Sequence, residues 1–353
     1  MSFFRAQDHP PISLALDDPM MTAVSNIKYN VGTAEWTLDA ANLQRQNDLL
    51  TKIFELNLNG LDSGPLYGNG GCEQFIGRSG ALKHLQITSK VPGGYLPGGS
   101  TPEAVSKFLD GTLKSLGVEK IPIYLIHAPD DSVPVSETLD ALQEHYKQGK
   151  FEELGLSNFT AEQTREAYEY CKAKGYILPT VYQLMYSLVS RNSEAELFPT
   201  LRELGFVVQV YSPIAGGFLA KTSEDIRAGK GKWTKTTFLG QLLHQSYNKP
   251  ELLEYLDKFN DLATEAGVSK VELAYRWVRW HSALRDGDTL ILGASNAKQL
   301  EETVRQLGKG PLEDWIVERL ATMWKSISAH ANDNFYRSYV ELLRAGSSGE
   351  MTV

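Results

Sequence analysis

The chain has 353 residues, 42% hydrophobic and 22% charged, which is globular composition and excludes a disordered, collagen-like or coiled-coil protein. Thirty-five Lys+Arg against 43 Asp+Glu give a net charge of −8 and a pI near 5.5. That balance argues against a nucleic-acid or anionic-membrane binder, while leaving room for a local basic pocket that takes a phosphate.

Residues 1–26 read as a lead, in which Asp, His and Pro interrupt every apolar run, so the unbroken core of a secretory leader is missing. No stretch approaches the ~18 apolar residues of a membrane span. The expectation is a soluble, cytoplasmic protein. Strands are then predicted at Ile27–Val31, Gly60–Asp62, Leu85–Val91, Ile121–His127, Glu153–Asn158, Thr180–Tyr186, Phe206–Ser212 and Thr289–Gly293. Amphipathic helical patterns lie between them. Val105, Phe108, Leu109, Leu113 and Leu116 make one face of Pro102–Leu116, and Leu139, Leu142 and Tyr146 make one of Val135–Tyr146. Helix starts are legible at Ser100-Thr101-Pro102 and at Thr160 with Gln163 three residues on. Gly117, Gly149 and Gly175 stand where helical runs stop.

Eight strands, each followed by a helix and built from apolar runs, imply a parallel sheet covered by helices. A length prior of about 150 residues per domain allows two domains, but an α/β barrel runs longer as one. The open-sheet competitor wants a glycine fingerprint after its first strand. Gly32-Thr33-Ala34-Glu35-Trp36 offers none, so the fold class is α/β, a single (β/α)8 barrel over residues 27–340. The step from strand seven to strand eight is too long for one unit. It holds a loop rich in Gly, Lys and Thr (Ala228–Gly240) and an extra helix near Pro250–Ala266. A C-terminal helix, Leu312–Ile327, precedes a tail, and residues 341–353 are expected to be flexible. Cys72 and Cys171 are too few for a disulfide framework or a four-cysteine zinc site, so free thiols and no metal are expected.

Barrel enzymes carry their chemistry at the C-terminal ends of the strands. Those ends hold Asp62 with Tyr67 in the following loop, Lys90, His127, Ser157-Asn158, Gln183, Tyr211-Ser212 and Gly293-Ala294-Ser295. Each could be a cap or a solvated end by itself, but polar groups converging on one mouth are costly to desolvate without a use. A tyrosine near pKa 10 is a poor acid-base at neutral pH, and a nearby ammonium is expected to lower it. An aspartate would hold the lysine, and a histidine could hydrogen-bond a carbonyl. This is a set for moving a proton to a carbonyl while a cofactor supplies hydride.

The segments LDSGPLYGNGGCE, ITSK, YLIHAPD, GKFEELGLSNF, LPTVYQLMY, VYSPIAGGFL and ILGASNAKQLEE together resemble the aldo-keto reductase superfamily, and most of all its aflatoxin-aldehyde reductase subfamily. The resemblance implies a catalytic tetrad of Asp62, Tyr67, Lys90 and His127. It implies that Ser157, Asn158 and Gln183 hold the nicotinamide carboxamide and that Tyr211 stacks on its ring. It further implies that Ser212, Pro213, Gly216 and Leu219 follow the pyrophosphate, and that Gly293, Ser295 and Gln299 meet the adenosine end of NADPH/NADP+. Two positions depart from the subfamily pattern. Thr303 stands for an asparagine, and Thr237 for an arginine, with Lys235 nearby as a point charge only. Asn334-Phe335-Tyr336-Arg337 resembles the subfamily's short substrate loop, and Arg337 there would suit an acidic aldehyde. Trp36, Trp233, Tyr95 and Tyr247 are candidates to line an apolar pocket, and Asp130 and Asp131 to cap the next helix.

The implied function is NADPH-dependent reduction of a small aldehyde or ketone, with no nucleic-acid or membrane partner and with a homodimer implied by the resemblance. One alternative is a cofactor-binding regulatory subunit on the same fold, like the potassium-channel β subunits. Another, a glycosidase, needs two opposed carboxylates, where only Asp62 sits plainly at a strand end.

Overall fold

The computed structural model describes residues 26–332 and 334–346. The expected lead, apart from Asn26, and the last seven residues of the expected tail lie outside the described residues.

Eight parallel strands close a barrel in sequence order. They are β1 (Lys28–Gly32), β2 (Gly60–Asp62), β3 (Gln86–Val91), β4 (Ile121–Ile126), β5 (Phe151–Ser157), β6 (Pro179–Met185), β7 (Val207–Tyr211) and β8 (Thr289–Leu292). Every predicted strand is present, with its ends moved by two residues at most. The shifts have a local cause. His127, for example, has left the ladder of β4, though its N–H still donates to Val91 O at 3.1 Å. The register brings Asp62 beside Thr88 and Ser157 beside Gln183. Gly155 is forced by this closeness, because a Cβ there would lie 2.3 Å from Leu125 Cδ2 and 2.6 Å from Val181 O.

The covering helices are α1 (Ala40–Glu55), α2 (Cys72–Ser79), α3 (Pro102–Leu116), α4 (Val135–Lys147), α5 (Ala161–Lys174) and α6 (Leu197–Glu203). Thr101 caps α3 with Pro102 behind it, and Thr160 and Gln163 form a reciprocal capping box on α5. Gly117 and Gly175 close their helices at φ of 68° and 66°. Gly149 is left-handed too, but α4 stops at Lys147 and Gln148 is its cap.

The long connection from β7 to β8 carries α7 (Ser223–Arg227), α8 (Phe238–Tyr247), α9 (Pro250–Glu265) and α10 (Lys270–Trp280). After β8 come α11 (Ala297–Leu307), α12 (Asp314–Ile327) and α13 (Phe335–Gly346). Helix α8 takes the end of the predicted Ala228–Gly240 loop, and Thr237 caps it by accepting from Gly240 N at 3.1 Å. The threonine found where the subfamily pattern has arginine therefore starts a helix. Helix α13 replaces the expected substrate loop, with Asn334 Oδ1 accepting from Arg337 N at 3.0 Å, and it runs into the segment expected as tail. No helix among the described residues is long and apolar enough to cross a membrane.

The chain divides into two compact units. The first runs up to Gln183 and includes Pro199–Gln209 and Arg285–Val304, so it holds nearly all of the barrel. Its floor is pinned by Asp288, 1% exposed, which accepts from Arg202 Nη1, Val208 N and Arg285 N, each at 2.9 Å. The second comprises Leu184–Phe198, Val210–Leu284 and the chain from Arg305 on. Its interior includes a cluster in which Phe218, Trp233 and Tyr247 meet with ring centroids 5.4–6.1 Å apart. Trp233 and Tyr247 are 0% and 1% exposed, so they are packing residues and line no open pocket.

Candidate active site

Asp62 ends β2, and Lys90 sits on β3 facing it. Lys90 Nζ donates to Asp62 Oδ1 at 2.8 Å and to Ser63 O at 2.6 Å. The lysine is 0% exposed and the aspartate 5%, so the pair is shielded from water and from salt. Tyr67 lies on the turn beyond Asp62, half-buried, with Lys90 Nζ 4.9 Å from its ring centroid. That turn is held by Gly68 at φ 55°, where a Cβ would fall 1.7 Å from Trp36 O. The glycine is required by both the backbone angle and the close approach. Trp36 thus packs against the turn through its carbonyl. Its indole is 2% exposed and packs edge-on against Phe75, so it offers little surface to a substrate.

His127 stands just beyond β4. Its ring lies 5.9 Å from that of Tyr67 and 4.5 Å from that of Tyr95, which borders the site as anticipated. Gly93, at φ 60°, brings the loop after β3 against Ala128 O, where a Cβ would fall at 2.1 Å, and so ties Lys90's strand end to that of His127. The tetrad Asp62, Tyr67, Lys90 and His127 is therefore assembled on one end of the barrel.

Its electrostatics differ from the sequence expectation in one respect. Burial, with the Asp62 charge and Cys72 adding to it, pushes the Tyr67 phenol well above its ordinary value. Two of Lys90's hydrogens go to Asp62 and the Ser63 carbonyl, and its ammonium does not outweigh the burial of the phenol, though it lies near enough to stabilise a phenolate once one forms. Tyr67 is a neutral phenol with a proton to give. Burial, and then the Lys90 charge, hold His127 well below the usual imidazole range, so it too is neutral. The folded imidazole binds its proton less readily than an unfolded one, near 6.5. Hence this group's contribution to stability is full above about pH 6.5 and declines as pH falls below it toward the folded value. We predict that the His127 imidazole stays uncharged at pH 6 in a 15N or 13C NMR titration; a midpoint at or above 6.5 would contradict the geometry.

The remaining strand ends of the first unit give a second group. Asn158 adopts φ 63°, uncommon outside glycine, and its Nδ2 donates to His127 O at 2.8 Å and to Ser157 Oγ at 3.0 Å. Gln183 donates from Nε2 to Asp62 Oδ1 at 2.7 Å and to Gln209 Oε1 at 2.9 Å. The predicted carboxamide holder is thus also wired into the tetrad, and Gln209 was not anticipated. Gly293 has open space around it. Gln299 folds back to accept from Ser295 N at 2.7 Å, and Arg45 donates to Ser295 O at 3.3 Å. Arg45 is a cation at this loop that strand-end reasoning could not find, since it comes from α1. Thr303 is 3% exposed, inside the buried face of α11. Asp130 folds its own loop, accepting from Ser132 N and Oγ at 3.0 and 2.6 Å, while α4 starts at Pro134 without a side-chain cap. Neither Asp130 nor Asp131 caps that helix.

In the second unit, Tyr211 ends β7 and is followed by a run of left-handed residues: Ser212 at φ 56°, Ala215 at 51°, Gly216 at 62° and Gly217 at 91°. Pro213 and the buried Leu219 belong to the same segment. Within it Ala215 N and Gly217 N already donate to Ser212 O and Ile214 O, at 2.8 and 2.9 Å, and Pro213 has no N–H, so any anion would be met by the remaining backbone groups. A Cβ on Gly217 would stand 4.0 Å from Lys232 Nζ. Lys232 is therefore the lysine found beside this turn. Lys235 is exposed, and its carbonyl accepts from Gln241. Arg337 is exposed on the first turn of α13.

Residues 30–325 match the aldo/keto reductase family. Among curated relatives, the chain is 35% identical over 291 residues to "Oxidoreductase sirO" of Leptosphaeria maculans, covering 82% of this chain and 88% of that one. It is 33% identical over 338 residues to "Aflatoxin B1 aldehyde reductase member 2" of Rattus norvegicus, covering 90% and 91%. It is 34% identical over 291 residues to "Aflatoxin B1 aldehyde reductase member 4" of Homo sapiens, covering 78% and 87%.

Proposed function

The chain belongs to the aldo/keto reductase family, and from that premise we propose that it reduces small aldehydes or ketones to alcohols with NADPH. The observation that carries the reading is a buried Lys90–Asp62 pair set beside the Tyr67 and His127 rings. Tyr67 transfers its phenolic proton to the carbonyl oxygen. His127, uncharged, donates a hydrogen bond to that oxygen and orients the carbonyl without competing as the acid. Lys90 stabilises the phenolate that Tyr67 becomes, and Asp62 fixes the ammonium in place.

The residues present fit a nicotinamide dinucleotide phosphate. The donors and acceptors of Ser157, Asn158 and Gln183 suit a carboxamide, and Tyr211 suits the ring. The left-handed turn Ser212–Gly217, with Lys232 beside it, suits a pyrophosphate. Gly293, Ser295, Gln299 and Arg45 suit the adenosine end with its extra phosphate. When bound, this cofactor supplies the hydride. The reading takes residues 27–340 as the working barrel, a small carbonyl compound as the partner, the cytoplasm as the location, and a homodimer as the form the resemblance implies.

A panel of aldehydes and ketones, assayed with NADPH and NADH in parallel, tests the proposal. Turnover of at least one carbonyl class is expected. A charge-assisted contact to the extra phosphate should favour NADPH in kcat/KM by roughly tenfold or more. Cofactor binding with no turnover of any carbonyl would overturn the reading in favour of a binding subunit.

A further inference from the structure

Among the buried polar side chains that the mechanism above does not use, one adjoins the site directly. Gln209, on β7, is 2% exposed. Its Oε1 accepts from Gln183 Nε2 at 2.9 Å, and its Nε2 donates to Thr88 Oγ1 at 3.4 Å. Strands β3 and β7 are not neighbours in the barrel, so this side chain crosses the interior. The network then runs from Thr88 through Gln209 and Gln183 to Asp62 and Lys90.

Counting hydrogens gives the network its direction. A primary amide has two N–H donors and one acceptor oxygen. The carboxylate of Asp62 can only accept, so Gln183 must turn Nε2 toward it. Gln209 Oε1 takes the second N–H. Both donors of Gln183 are then committed inside the protein, and only its Oε1 is left to offer a ligand. A buried N–H without an acceptor is unfavourable. Without Gln209 the amide would stay anchored at Asp62 by one N–H only, and its oxygen would be held less firmly.

We propose that Gln209 is a positioning residue which, by engaging the second N–H of Gln183, fixes Gln183 Oε1 as an acceptor and makes the site select a pyridine ring that carries an N–H donor. The inference rests on the cofactor reading given above. It identifies what Gln183 recognises, namely the NH2 of the carboxamide, and it adds a residue outside the expected contacts.

The test compares NADPH with its 3-acetylpyridine analogue, in which a methyl group replaces that NH2 and the ring carbonyl is kept. Both are titrated into the full-length protein by quenching of tryptophan fluorescence. Gln209→Met is expected to raise the Kd for NADPH about five- to tenfold, the worth of one neutral hydrogen bond, and to move the analogue less than about twofold. On a Gln183→Leu background, Gln209→Met should add nothing for either nucleotide, because it acts through Gln183. Gln209→Glu keeps an oxygen facing Gln183 and is expected to restore the preference for NADPH. Equal weakening of both nucleotides, full additivity with Gln183→Leu, or no change would overturn the proposal. Should Gln209→Met not fold, loss of the preference in Gln209→Glu would overturn it as well. Failure of the unmodified protein to bind either nucleotide would instead take down the cofactor reading itself.

Discussion

Tyr67→Phe is expected to lower kcat by roughly a hundredfold to ten-thousandfold, the usual worth of a positioned general acid, while cofactor affinity and folding stability change little. The separation follows from geometry. The Tyr67 ring lies over Gly64, whose Cβ position is 3.6 Å away, near the His127 ring and under the Lys90 ammonium. Phenylalanine keeps all of that packing and removes only the hydroxyl. Because burial and the Asp62 charge raise the phenol's pKa, the wild-type proton is in place throughout the neutral range. The rate of reduction should therefore show no loss of an acid between pH 6 and 8 that could be assigned to Tyr67. Steady-state turnover, cofactor titration and urea unfolding on the same preparation check the three parts together. Turnover comparable to wild type would remove Tyr67 from the mechanism.

The sequence carried Asp62, Lys90 and His127 because strand ends are marked by where an apolar run stops, and Tyr67 because its turn follows directly on one of those ends. The same logic located Ser157, Asn158 and Gln183. It missed Gln209, which looks like one polar residue inside the run Val207–Tyr211. One of its partners, Thr88, is on β3, which does not adjoin β7, and such a contact across the barrel leaves no periodic trace. Lys232 was missed for a related reason. Both Lys232 and Lys235 lie in one connection, and nothing in its spacing says which of them folds back over Gly217. The loop expected at residues 334–337 became the start of α13 because Asn334 is a good cap, a signal that was present and outweighed by the resemblance. Trp36 shows the converse case. An aromatic residue after a strand suggested a pocket wall, yet what meets the turn is its carbonyl, set against a glycine that tolerates no Cβ.

Lys90→Met is expected to cost more than activity. With the lysine gone, Asp62 keeps the Gln183 N–H as its one side-chain donor among the described residues and has almost no access to water. Breaking a buried pair by removing one partner costs about 3–5 kcal/mol, because the remaining charge is left uncompensated. Here the screening that weakens surface pairs is absent, since the side chains of Lys90 and Asp62 are 0% and 7% exposed. The Ser63 carbonyl also loses its donor. A urea unfolding series should read this loss as a lower midpoint. Adding Asp62→Asn removes the stranded charge, so the double variant should recover much of the stability while turnover stays negligible, because no ammonium is left to stabilise the Tyr67 phenolate. A double variant as unstable as Lys90→Met alone would mean that the cost arises from lost packing of the lysine stem and not from the charge. Recovery of turnover along with stability would mean that Lys90 serves the fold and not the chemistry.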